Sequence, residues 1–359
     1  ASTAPFVDRL QRAGAVIVGR SAVPELILHG TKESVVNGAT HNPWALEFSA
    51  GGSSGGAGAA VAAGVVPLAH ASDCAGSIRI PASVCGLIGL KPGRRRVPWP
   101  GGGWDGIAEE FVLTRSARDA ALGLQILGDG PFDPVPPAPW RIALSTNHWA
   151  AMADDEVVIA AVEQLAIWLE GEGHVVIPIT APLDYEQLSS TSDALFSRWT
   201  YLDAVALSRE TGRRIDTDHL EPMTLRHIEA GAAVTRPAHQ VALQAREKIT
   251  ARLHSDLDGY DMLLTPTIGR ATIPLGRLGG DVASMHEYQR RIDEFFPFSY
   301  LFNVTGWPAI SVPIERGPTG VPIGAQFAAA PGSEPLLIAA ALHCERRGPA
   351  LPYPSPRSP

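Results

Sequence analysis

Cysteine is scarce in this chain: 359 residues contain only Cys74, Cys85 and Cys344, at unrelated spacings. So few and so scattered thiols exclude a disulfide framework and a zinc site, and no metal is expected. A reducing, cytoplasmic setting is expected. Lysine is equally rare. Of 29 cationic residues only Lys32, Lys91 and Lys248 are lysine, which leaves few sources for a reaction needing a neutral amine as base. No stretch approaches roughly eighteen uninterrupted apolar residues, and the first residues do not follow a signal-peptide pattern, so no membrane partner is expected. Charge of one sign is nowhere concentrated. The formal net charge of −8, from 29 cationic and 37 acidic residues, excludes the basic footprint of a nucleic-acid-binding protein.

What is present is an alternation of helical and extended patterns. PFVDRLQRAG (5–14) predicts a helix stopped by Gly14, and AVIVG (15–19) a short buried strand. The alanine-rich run after Gly55 predicts a helix so small-sided that it packs closely. VVPLAHASD (65–73), RIALST (141–146), HVVIPI (174–179) and DMLLTPT (261–267) read as strands, and residues 154–173 as an amphipathic helix. NVTGWPAISVPI (303–314) and PIGAQFAAA (322–330) read as paired strands before a closing helix. The Pro/Gly-rich stretches 97–106 and 130–139 read as surface loops that need not divide domains. The fold class is therefore α/β, one domain over residues 1–359.

The chemistry concentrates between Ala50 and Pro92. Gly52-Ser53-Ser54-Gly55-Gly56 is no P-loop, because no lysine follows the glycines. It satisfies G-x-S-x-G, but the preceding HNPWALEFSA is not the hydrophobic strand that a nucleophile elbow requires. Taken alone, the cluster reads equally well as a helix N-terminus whose glycines permit packing. Asp73-Cys74-Ala75-Gly76-Ser77-Ile78-Arg79 changes that. It sets a serine after small residues whose N–H groups can converge on one point, the requirement of an oxyanion hole. Asp73 and Arg79 flank Ser77 and can pair across the turn.

GGSSGG, then DCAGSIRIPA at this spacing, then GLKP, resembles the amidase signature family. HNPW (41–44), VLTRSARDAA (112–121), the FPF to NVTGWPAISVP run (296–313) and GVPIGAQF (320–327) follow in the family's order, so the resemblance covers nearly the whole chain. It implies a mixed twisted sheet covered by helices on both faces. It also implies a Ser–cisSer–Lys triad with Ser77 as nucleophile, Ser53 as proton relay, and a cis Gly52–Ser53 peptide. Ser54, Asp73, Arg79 and Gly52 are implied as supports, and the N–H groups of Cys74, Ala75, Gly76 and Ser77 as oxyanion donors. No cofactor is implied.

The chain departs from the family pattern in three places. Ala50 stands where proline is usual. Cys74-Ala75 replaces Thr-Gly or Gly-Gly, which requires a negative φ at Ala75; Cys74 reads as a thiol lining the pocket, with a catalytic role as the alternative. The third departure concerns the lysine. The resemblance places it upstream of the 5–14 helix, so a segment preceding Ala1 is expected to carry it. Arg20, in a G-K-T position that is structural in the family, cannot act as base because it stays protonated. Lys91 is expected at the surface, Lys32 in a loop and Lys248 on a helix.

Trp104 and Trp307 are candidate pocket walls, and residues 189–235, with Phe196, Trp199, Tyr201 and His227, read as a helical lid. The expected activity is hydrolysis of a C–N bond in a small amide or carbamate, closest in pattern to bacterial enzymes acting on linear or oligomeric amides or carbamates. The alternatives are an amidotransferase A-type subunit and a non-catalytic binding protein. A homodimer is compatible with all three.

Overall fold

The computed structural model describes residues 4–99, 103–130, 132, 135, 139–279 and 284–346. Eight strands form its centre: β1 (Leu68–Asp73), β2 (Ile88–Lys91), β3 (Glu109–Thr114), β4 (Arg141–Leu144), β5 (Val175–Pro178), β6 (Met262–Pro266), β7 (Ala309–Arg316) and β8 (Pro322–Ala328). They lie in the order β1-β3-β2-β7-β8-β6-β4-β5. The β6–β4 and β4–β5 pairs are parallel and the others antiparallel, so the sheet is mixed.

Successive side chains on a strand point to opposite faces, and here both faces are apolar. Ile142, Met262, Leu264, Ile310 and Phe327 enter one core. Their neighbours Ala143, Leu263, Ala309 and Ala328 enter the other. A sheet of this kind needs helices on both sides. The helices are α1 (Pro5–Arg12), α2 (Gly55–Ala62), α3 (Arg79–Cys85), α4 (Ala117–Leu127), α5 (Glu156–Gly171), α6 (Tyr185–Thr211), α7 (Pro222–Ala233), α8 (Arg236–Asp256), α9 (Met285–Phe295), α10 (Tyr300–Thr305) and α11 (Glu334–Cys344). The first core receives Phe6 of α1, Val61 of α2, Ile80 of α3, Leu124 of α4, Leu165 of α5 and Leu337 of α11. The second receives Leu188 of α6, Leu253 of α8 and Phe302 of α10.

Local sequence explains the boundaries. In α5, Val158, Ala161, Val162, Leu165 and Leu169 repeat at helical spacing and are buried, and the Asp155 carboxylate accepts the Val157 N–H at the start. Helix α3 stops at Gly86, whose φ of 70° is the left-handed cap that glycine adopts without penalty.

AVIVG departs from expectation. Residues 15–19 form no strand, and Val16, Ile17 and Val18 are 84%, 54% and 74% exposed. An apolar run becomes a strand only where a neighbouring strand takes its N–H and C=O groups, and among the described residues this run joins no ladder; the Ala15 N–H instead donates back to the Leu10 carbonyl of α1. The expected strand over 303–314 is also split: 300–305 is helix, Gly306 turns at φ 76°, and the strand starts at Ala309. Lys91 is not at the surface. Its side chain is fully buried at the end of β2, with Nζ donating to the Pro92 carbonyl at 2.6 Å. Burial pulls its ammonium down to about 8, against the opposing charge of Glu109.

Candidate active site

Two turns bring the serine pair and Ser77 to one cavity. The first runs from Gly51 to Ser54 into α2, and its Gly52–Ser53 peptide is cis. Gly52 lies against the backbone of Thr31; a Cβ there would sit 2.6 Å from the Thr31 nitrogen, so no larger residue fits. Lys32 N–H donates to the Gly51 carbonyl at 3.1 Å and fixes the same turn. Ser54 Oγ accepts the Ser72 N–H at 3.3 Å and donates to the Ser72 carbonyl at 3.4 Å, which ties this turn to β1.

The second turn follows β1 and holds Ser77. Gly76 has φ 121°, a conformation side chains rarely adopt, and a Cβ there would press on Ile80 and Ser299. Ala75 is absent from the positive-φ residues, so its Cβ is accommodated as the sequence required. The Asp73 carboxylate gathers the turn, accepting the N–H of Gly76 at 2.7 Å, of Ile78 at 3.2 Å and of Arg79 at 3.4 Å. This corrects one expectation: the Gly76 N–H is engaged by Asp73. The N–H groups of Cys74, Ala75 and Ser77 have no protein acceptor among the described residues.

Arg79 braces Asp73 from the core with all five of its N–H donors used. Nε and Nη2 each reach the Asp73 carboxylate at 2.9 Å. Nη1 donates to the Ser299 carbonyl at 2.9 Å and to Gln326 Oε1 at 2.8 Å, and Nη2 also to Asn303 Oδ1 at 2.6 Å. Asn303 Nδ2 in turn donates to the Asp73 carbonyl, the Asp73 carboxylate and the Ile107 carbonyl, each at 2.9 Å. Burial pushes the Asp73 carboxyl up, but Arg79, Lys91 and Asn303 more than reverse this and leave it at about 2. The turn is thus anchored to an ionised, fully satisfied network. Ser299, Asn303 and Gln326 were not singled out from the sequence, because they lie more than 200 residues from Asp73 and Arg79 along the chain.

Ser53, Cys74, Ala75 and Ser77 all line a cavity of about 400 Å³. The Cys74 thiol is pushed well above its usual range by burial and then by Asp73, Glu109 and Asp203, so it is held protonated. A protonated thiol is a poor nucleophile, which fits a lining role. Trp104 lies on this cavity's wall, its indole N–H donating to Asp203 at 2.7 Å and its ring edge-on to Phe196. Trp307 does not line it. That ring packs in the second core and borders a separate recess beside His254 and Tyr260. The expected lid segment is helical, as α6 and α7, and contributes Phe196 and His227 to the cavity. Trp199 and Tyr201 are not among its lining residues; Trp199 instead donates to Asp105 at 2.7 Å. Among the described residues no group of His, Cys, Asp and Glu is arranged to hold a metal. No helix there is long and apolar enough to cross a membrane.

None of the three lysines is among the residues that line the cavity. Lys32 Nζ donates to the Asn37 and Gly38 carbonyls at 3.1 and 2.5 Å. Lys91 is buried against Pro92. Lys248 is exposed on α8.

Comparison with known proteins agrees with this geometry. The chain is 35% identical to the 6-aminohexanoate-cyclic-dimer hydrolase of Pseudomonas sp. (strain NK87), over 97% of this chain and 76% of that protein. The structure of 6-aminohexanoate cyclic dimer hydrolase complexed with substrate superposes with a TM-score of 0.88 at 31% identity, covering 99% of this chain and 79% of the other. A bacterial aryl acylamidase shares the fold, with a TM-score of 0.86 at 23% identity over 100% and 78% of the two chains. The Amidase family model matches residues 2–338, and the chain belongs to the amidase signature family, hydrolases of amide C–N bonds.

Proposed function

We propose that this protein hydrolyses small amides or carbamates through a seryl acyl-enzyme, with Ser77 as nucleophile and Ser53 as proton relay. One observation carries the reading: Ser53 and Ser77 line the same cavity, Ser77 on a turn whose backbone the Asp73 carboxylate holds. Ser77 Oγ adds to the substrate carbonyl while its proton passes to Ser53 and on to a neutral base. The oxyanion is received by the N–H groups of Cys74, Ala75 and Ser77, each donor lowering the barrier by about 3 kcal/mol. The relayed proton goes to the departing nitrogen as the C–N bond breaks, so that an amine leaves and an ester forms at Ser77. Water then adds to the ester and releases the acid.

The relay requires a base. The Lys32 and Lys91 ammonium groups are held by backbone carbonyls and Lys248 is exposed on α8, so none of the three is assigned as the base. Turnover of a chromogenic anilide tests the assignment of the two serines. Ser77→Ala and Ser53→Ala are each expected to lower kcat by about 10⁴-fold or more. Retained turnover in Ser77→Ala would overturn the nucleophile.

A further inference from the structure

The cavity contains charge that the hydrolytic chemistry does not use. Asp193, on α6, lines it. Its carboxylate has no hydrogen-bond or ion-pair partner in the protein among the described residues. Asp193 is exposed by surface area although protein atoms crowd around it. Burial, and then Asp293, push its carboxyl up to about 7. Asp293 itself is engaged, accepting from the Tyr185 and Tyr300 hydroxyls and from Gln289 Nε2 at 2.8, 2.5 and 2.9 Å. No lysine or arginine is among the lining residues, and apolar groups such as Phe196, Ile292 and Phe296 occupy much of the wall.

A second, independent feature points the same way. His227, on α7, is 6% exposed and lines the same cavity, and neither of its ring nitrogens has a partner. Its neighbour His29 has Nδ1 against the Tyr288 hydroxyl at 3.1 Å, while its Nε2 is unpartnered. Burial pulls His29 down to about 4; burial, and then His29, pull His227 down to about 3. Both rings are therefore neutral near pH 7, and each offers a lone pair with no positive charge to repel a cation. An unpaired carboxylate and buried imidazole lone pairs in a cavity without cations call for a cationic hydrogen-bond donor.

We propose that this cavity holds an ammonium subsite, with Asp193 as counter-charge and the neutral imidazole of His227 as an additional acceptor, so that the preferred substrate is an amide carrying a primary amine away from the scissile bond. The inference rests on the amide-hydrolase reading and narrows its substrate class. The same charge disfavours substrates ending in a carboxylate.

Calorimetric titration of the Ser77→Ala protein, which holds substrate without turnover, tests the subsite. The probes are 4-aminobutanamide, 6-aminohexanamide, 8-aminooctanamide and the reversed N-(5-aminopentyl)acetamide, each against its uncharged counterpart without the amine. At least one amine is expected to bind about 10- to 100-fold more tightly than its counterpart, the range for a hydrogen bond to a charged group. Adding Asp193→Asn, or separately Asp193→Ser as a second truncation, should erase that ratio and leave the uncharged amide's affinity and the thermal midpoint in place. The proposal is overturned if no amine gains affinity, if nothing binds, or if the ratio survives both substitutions. Turnover of an uncharged anilide separates the two readings. Its persistence in the parent protein, with no amine preference in the Ser77→Ala titration where Asp193 is intact, removes the subsite and keeps the hydrolase; its absence throughout, with amine binding intact, does the reverse.

Discussion

At the scale of single residues, the Ser77 turn depends on one ionised carboxylate. Asp73 is fully buried, and its proton affinity is depressed from 3.8 to about 2 by Arg79 and its neighbours despite burial. A carboxylate with a depressed folded-state value stabilises the fold above its unfolded value, and the contribution is lost as pH falls through the folded one. The depression corresponds to about 2 kcal/mol, present above about pH 4 and lost by about pH 2. Urea unfolding from pH 6 to pH 2 checks this. Asp73→Asn should cost about 3–5 kcal/mol at pH 6, because Arg79 is left buried without its counter-ion, and should lack the acid step. An equal acid step in both proteins would show that Asp73 is not the titrating group. The pairing of Asp73 with Arg79 was legible in the sequence, six residues apart on one turn. The rest of the network was not. Ser299, Asn303 and Gln326 reach Arg79 only because β7 and β8 come to the centre of the sheet beside β2, a fact of topology that no local pattern carries. The same holds for Lys91, whose burial comes from the covering of both sheet faces and not from its neighbours in GLKP.

At the scale of elements, strands and helices with strong periodicity were legible, and segments whose state depends on a partner were not. Residues 15–19 have strand composition but lack a paired ladder. Helix α7 is held against α6 at Gly231, where a Cβ would meet the Ser197 backbone and lie 2.8 Å from Tyr201 Cβ. Two effects compete in Gly231→Ala. Alanine favours the helical state by about 0.5–1 kcal/mol, whereas forcing a methyl into a closed contact costs about 1–3 kcal/mol, and here the contact is with backbone, which cannot rotate away. The clash wins. Helices α6 and α7 carry Phe196 and His227 into the cavity, so their separation should raise KM several-fold more than it lowers kcat, with a lowered unfolding midpoint. A variant as stable as the parent with unchanged KM would remove the close packing from the account of the cavity.

At the scale of the whole molecule, the distribution of cations decides which proton acceptor can act. Twenty-six of 29 are arginine, which stays protonated and cannot be a base, so the question reduces to three lysines. Lys32 is the one that requires argument, since its backbone bonds the Gly51 turn next to Ser53. Its ammonium points elsewhere, held by two carbonyls that favour the charged form, while burial pulls its proton affinity down against Glu221. A nitrogen pinned by two acceptors must break both bonds before it can take a proton from Ser53. Lys32→Met is therefore expected to leave kcat within about threefold of the parent, a barrier change below 1 kcal/mol, and to act mainly on stability through the Asn37–Gly38 turn. A Lys32→Met protein that loses turnover while keeping its unfolding midpoint would make Lys32 the base.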